Sequence, residues 1–200
     1  MPVPKGTSLD PERTRATIID TAMPILYERG LDGVGVAELC GAVGVSKETL
    51  YRHFGSKEGL IEAVLEARSE RVTRWLAAAV EAAGPDPAAQ ISAVFDALGE
   101  WHGEPSFRGC ALLNAAAQHH GAPELDMAGR HLERRLGLLT SIAAGAGVAE
   151  PGELARQWLV LVTGCTVVAD QHPGTRHAAR LAREAALALL AAARPTPEGP

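Results

Sequence analysis

Residues Val36–Leu65 read VAELCGAVGVSKETLYRHFGSKEGLIEAVL. Apolar residues recur three and four apart on both sides of Gly44, which predicts two short helices. They meet at a residue whose missing Cβ permits a sharp turn. The first helix, about Val36 to Val43, buries Leu39 and Val43. Ser46 caps the second, which runs to about His53 and turns Leu50 and Phe54, four apart, to one face. Lys47, Glu48, Thr49, Arg52 and His53 then face outward or lie near the helix start. A second helix presented this way by a first has the geometry that enters a major groove of about 12 Å width.

The side chains suit such a groove. Lys47 has the reach for guanine edges or phosphate, and Thr49 for a thymine methyl or phosphate. Tyr51, Arg52 and His53 are donors for backbone oxygens. Glu48 favours a helix start but repels phosphate, which leaves a cytosine amino group as its partner. Ser46 and Lys47 lie at the helix start, and Lys57 in the first turn of the following helix, where free amides attract phosphate. The chain has three lysines, Lys5, Lys47 and Lys57. Two of them flank the short helix.

Outward from this block the chain reads as helix throughout. Asp10-Pro11 starts a first helix that ends at Arg29-Gly30, with Pro24 inside it at a cost of ~3 kcal/mol or a kink. Ser56 caps a long fourth helix to about Ala83. Asp86-Pro87 starts a fifth, to about His102. A sixth follows the Gly103-Glu104-Pro105 break and runs to His120. The seventh spans about Pro123 to Ala144, the eighth about Pro151 to Gln171 and the ninth about Thr175 to Ala193. Pro195 to Pro200 reads as a loose tail. The expected fold is all-α, with an N-terminal three-helix helix-turn-helix domain over residues 1–57 and a helical ligand-binding and dimerisation domain over 58–194.

Composition bounds the rest. The 200 residues are 46% hydrophobic and 22% charged, which excludes global disorder, and aromatics are only 4%. The net charge is −5. Residues 1–57 balance seven basic against seven acidic groups, and the remainder carries 12 basic and 17 acidic. The acidic excess therefore lies outside the helix-turn-helix, and the total does not argue against a nucleic-acid partner. Cys40, Cys110 and Cys165 are scattered and form no CxxC pair, so neither a disulfide framework nor a zinc site is expected. The opening MPVPKGTSLDPERTR has no apolar run. No signal peptide or membrane span is expected, and the expected location is cytoplasmic.

Residues 11–65 resemble the DNA-binding domain of TetR/AcrR bacterial transcriptional regulators. The first helix ending in ERG, the run GVSKETLYRHFGSKEGL and the Ser56-Lys57-Glu58 helix start carry the likeness. The stretch RGCALLNAAA, Arg108–Ala117, resembles sixth helices of some members. Gly35 stands where members usually carry Thr or Ser that caps the second helix and touches phosphate, and Ala37 where a basic residue is common. The resemblance implies a ligand-responsive repressor that binds double-stranded operator DNA as a homodimer. It implies that a small effector among helices four to eight releases the DNA, with helix four as lever. It also implies a two-fold four-helix bundle of helices eight and nine.

Those two helices are apolar over wide faces, which points to a subunit interface at Leu161, Cys165, Ala182, Ala186, Leu187 and Leu190. Trp101, Phe107 and Trp158 are either core or pocket wall. His102, Cys110 and Asn114 join them as candidate effector contacts; Asn114 either orients a ligand or bonds a neighbouring helix. Cys110 is either a small packing residue or a redox sensor. His119, His120, His102, Glu124 and Asp126 show no recognised ligand spacing, so no metal and no cofactor are expected. The alternative class is an all-helical small-molecule binder or enzyme with an incidental hairpin. Without HExxH, a nucleophile elbow or a phosphate loop, the chain is not expected to be an enzyme.

Overall fold

The computed structural model describes residues 10–118, 123–172 and 174–194. They form α1 (Pro11–Arg29), α2 (Val36–Val43), α3 (Lys47–Phe54), α4 (Lys57–Ala82), α5 (Pro87–His102), α6 (Ala111–Gln118), α7 (Pro123–Gly145), α8 (Pro151–Gln171) and α9 (His177–Ala193), and no described residue is in a strand. The chain divides into two compact units between Arg68 and Ser69. The division falls inside α4, beyond the end of the helix-turn-helix.

In the first unit, Asp10 caps α1 by accepting from the amide of Glu12 at 3.0 Å, with Pro11 where no amide partner is needed. α1 continues through Pro24, which faces solvent, and buries Ile18, Ile19, Ala22, Met23 and Leu26. It packs against α2 and α3. Gly44 takes the left-handed conformation (φ +76°) and sends its N–H 2.9 Å to the carbonyl of Cys40, ending α2. Ser46 accepts from the amide of Thr49 at 3.1 Å and starts α3. Leu39 and Leu50 are fully buried at this turn. Val43 and Phe54 are only half-buried, and the Arg15 guanidinium lies 5.2 Å over the Phe54 ring.

The second unit is built around α5, α7, α8 and α9. α5 packs along α9, α7 along α8, and α8 along α9, while α6 packs on α7. Asp86 caps α5 through the amides of Ala88 and Ala89 at 3.3 and 3.1 Å. The core takes Leu76, Ile91, Phe95, Leu98, Phe107, Leu139, Ile142, Leu154, Trp158, Val162, Ala186 and Leu190. α5 and α9 approach closely because Gly99 faces Ala179: a Cβ at Gly99 would lie 3.3 Å from that of Ala179.

Two expectations need correction. α6 begins at Ala111, so Cys110 precedes it instead of lying within it. Gly109, at φ +72°, breaks the chain there, and Cys110 supplies the carbonyl that accepts from Asn114 at 2.9 Å. The expected interface residues Cys165, Ala182, Ala186 and Leu190 are buried inside the subunit, and Leu161 and Leu187 pack against the same core. The small residues of α8 and α9 serve contact between those helices within one chain. The apolar faces turned outward carry Val160, Val167, Val168 and Leu181, exposed by 71, 53, 51 and 48%.

Candidate functional site

The outward face of α3 carries most of the residues expected there. Ser46, Lys47, Glu48, Tyr51 and Arg52 are exposed, and Thr49 and His53 half-exposed. Leu50 is the buried pivot, so α3 presents one polar face and one anchoring residue. Ser46 and Thr49 are engaged locally, their hydroxyls 3.0 Å apart, and Ser46 accepts the Thr49 amide. Arg29 pairs with Glu38 and donates to the Gly33 carbonyl at 3.1 Å, which ties the α1–α2 loop to α2.

Lys57 differs from its expected role. Its ammonium donates to the carbonyl of Leu31 at 2.7 Å and is part-buried, so the side chain clamps the α1–α2 loop. The adjoining turn explains the SKEG run. Ser56 accepts the Gly59 amide at 3.1 Å, and a Cβ at Gly59 would lie 2.1 Å from the Phe54 carbonyl oxygen. The Glu58 carboxyl is held below its usual range by its own backbone amide and then by the Ser56 hydroxyl.

In the second unit, the candidate effector residues separate. Trp101, His102 and Phe107 come together: ring centroids of Trp101 and Phe107 are 4.8 Å apart edge-on, and His102 lies 4.9 Å from Phe107. Trp75 of α4 adds an edge contact to Trp101 at 6.2 Å. Trp158 is a core residue, its indole N–H bonded to the Ala186 carbonyl at 3.1 Å. Asn114 is exposed and donates to the Arg108 carbonyl at 2.8 Å, so it staples the loop before α6 instead of orienting a ligand or bonding a neighbouring helix. Cys110 is buried, and all three cysteines are free.

The second unit also buries polar side chains. Ser69, His102, His131, Arg135 and Thr166 are each at most 3% exposed. Ser69 Oγ lies 2.9 Å from His131 Nδ1 and accepts from Arg134 at 2.8 Å. Both ring nitrogens of His102 and all three guanidinium nitrogens of Arg135 are buried without a hydrogen-bond partner among the described residues. Burial and then the charge of Arg135 push the His102 ring down to about 4, so it is neutral near pH 7. Burial pushes the Cys165 thiol up to about 11. A cleft of about 390 Å³ elsewhere, between α5 and α9, is lined by Phe95, Asp96, Gly99, Glu100, Ala179 and the arginines 176, 180 and 183. It contains none of the expected effector residues. Among the described residues, no cluster of His, Cys, Asp or Glu has the makings of a metal site. His119, His120 and the Glu124 side chain lie outside those residues, as do residues 1–9 and the tail from Pro195.

The sequence profile described as "Bacterial regulatory proteins, tetR family" matches residues 18–64, the stretch from α1 into α4. The HTH-type transcriptional regulator UidR of Escherichia coli K12 is 38% identical over 65 residues, 32% of this chain and 32% of that protein. The match thus spans about a third of the length of this curated relative. Over almost the whole chain the fold is that of SCO4454, a TetR-family transcriptional regulator from Streptomyces coelicolor: TM-score 0.81, 25% identity, 90% of this chain and 95% of that one. Residues 18–64 carry the TetR-family domain. A further TetR-family structure, the regulator CifR complexed with a 26-bp double-strand operator DNA, shares the fold at TM-score 0.73 and 23% identity, covering 92% of this chain and 98% of that one.

Within residues 18–64, Gly35 precedes α2 in extended conformation and gives it no side-chain cap. Sequence reasoning missed Ser69, His131 and Arg135. The signal was available for α7: Ala128, His131, Arg135, Leu139 and Ile142 recur at the helical period, so a histidine and an arginine occupy positions of the buried stripe. Arg135 reads as an ordinary surface charge only when its position in that stripe is ignored.

Proposed function

We propose that the protein is a transcriptional regulator that binds double-stranded operator DNA through α3 as a homodimer, and that a small-molecule effector held in the second unit releases it. The observation that carries the DNA reading is the α3 face: Lys47, Tyr51 and Arg52 exposed around a buried Leu50 on a short helix held by α1 and α2. The operator complex of the structurally similar CifR supports it. A two-fold dimer would offer two such helices to successive major grooves about 34–36 Å apart. The second copy would dock on the outward faces of α8 and α9, at Val160, Val167, Val168 and Leu181. The effector would act by binding more tightly to a state whose spacing fails the operator. Cys110 is buried, which favours its packing role over a redox one.

Selection of binding sites from a fragmented genomic library at low salt tests the regulator. An operator with two-fold symmetry is expected. Arg52→Ala should weaken binding to all sequences and flatten the salt slope by about one. Failure to select any operator overturns the reading.

A further inference from the structure

The interior of the second unit holds a cation that no described residue neutralises. Arg135 is 3% exposed, and its Nε and both terminal nitrogens lack hydrogen-bond partners among the described residues. The buried polar side chains of the described chain are Ser69, His102, His131, Arg135 and Thr166; no Asp or Glu is among them. A lysine so placed would shed its proton, but a guanidinium keeps its charge. Burying a charge without a counter-charge is strongly unfavourable.

The surroundings indicate what the charge is for. Arg135 lies on the buried face of α7, four residues after His131 and four before Leu139. α7 packs against α8 and α5, and α5 ends at His102, so the buried face that carries Arg135 belongs to a three-helix junction. His102 is fully buried with both ring nitrogens unpartnered among the described residues, and its neutral ring offers one donor and one acceptor. Beside it stand the rings of Trp101 and Phe107, at centroid distances of 5.7 and 4.9 Å. One fixed positive charge and one neutral imidazole match a monoanion; a phosphate dianion would need further donors. The planar guanidinium fork matches a carboxylate. The rings and aliphatic side chains match an apolar body.

We propose that the second unit binds an organic carboxylate with an apolar body between α5, α7 and α8, its charge carried by Arg135 and its orientation set by His102. This deepens the effector reading above and rests on it, naming the effector's chemical class.

The test uses the full-length protein without DNA. Thermal melting and tryptophan fluorescence are followed during titration with sodium octanoate and sodium 4-phenylbutyrate. The amides of the same two skeletons and sodium chloride at matched ionic strength serve as controls. Saturable stabilisation by at least one carboxylate is expected, with its amide at least tenfold weaker and chloride without effect. Arg135→Met should fold, melt at or above the temperature of the ligand-free parent, and lose at least tenfold in carboxylate affinity. If Arg135→Met fails to fold by circular dichroism, the carboxylate–amide comparison on the unaltered protein decides. No response to either carboxylate, equal response to an amide, stabilisation by chloride alone, or an unchanged response in a folded Arg135→Met overturns the proposal. Operator selection is a separate readout: its failure beside a positive carboxylate titration would sink the regulator and leave the carboxylate site.

Discussion

Gly59 and His102 are single residues whose surroundings fix their consequences. At Gly59 a Cβ would come 2.1 Å from the Phe54 carbonyl oxygen, which belongs to the backbone and yields only if the α3–α4 turn moves. Gly59→Ala should therefore destabilise the first unit by roughly 1–3 kcal/mol and weaken DNA binding; a thermal melt beside a binding isotherm checks both. His102 has a folded-state value of about 4 against its ordinary 6.5. The unfolded chain then binds more protons between those values, so stability rises with pH through that window and falls as pH drops from 6.5 toward 4. A tenfold change in proton affinity is worth about 1.4 kcal/mol, so the loss amounts to a few kcal/mol. In His102→Phe that part of the slope should vanish. Urea unfolding at pH 7 and pH 5 for both proteins measures it, and equal slopes would contradict the assignment.

Among the elements, α8 and α9 show how one helix serves two purposes. Their small residues face each other: Ala186 is fully buried, and its carbonyl takes the Trp158 indole proton at 3.1 Å. Their valines face away. A charge on the outer face, as in Val167→Asp, should yield a folded monomer by sedimentation and reduce operator affinity, since each half-site would then be bound separately. A charge on the inner face, as in Ala186→Asp, should unfold the second unit instead, because a carboxylate there has no partner. If Val167→Asp remains dimeric, the outward face is not the interface.

At the scale of the whole molecule, the two units keep distinct characters. The first is a three-helix turn with local caps and loop clamps: Asp10, Ser46, Arg29 and Lys57 each tie residues of that unit. The second is a larger apolar bundle that buries five polar side chains among the described residues. Under the proposed function, the first unit would present a fixed face to DNA and the second would leave a charge for a ligand to complete. The unmatched Arg135 is consistent with that division. Its removal is expected to stabilise the ligand-free bundle while removing its response.

The all-helical class, the positions of the caps and the turn at Gly44 were legible in the sequence because they rest on local chemistry. Apolar spacing, an Asp-Pro pair or a serine before a helix acts within a few residues. So was the α3 face, since eight residues with one buried leucine leave little choice of side. The faces of α8 and α9 were not legible. Both sides of these helices are apolar, and only packing decides which side meets a neighbouring helix and which meets solvent. The burial of His102 and Arg135 in one bundle was hidden for the same reason. Thirty-three positions separate them in the chain, and no local rule brings two such residues together. The chain alone determined its helices and the polar face of α3; tertiary packing decided which helix faces pair and where the Arg135 side chain is buried.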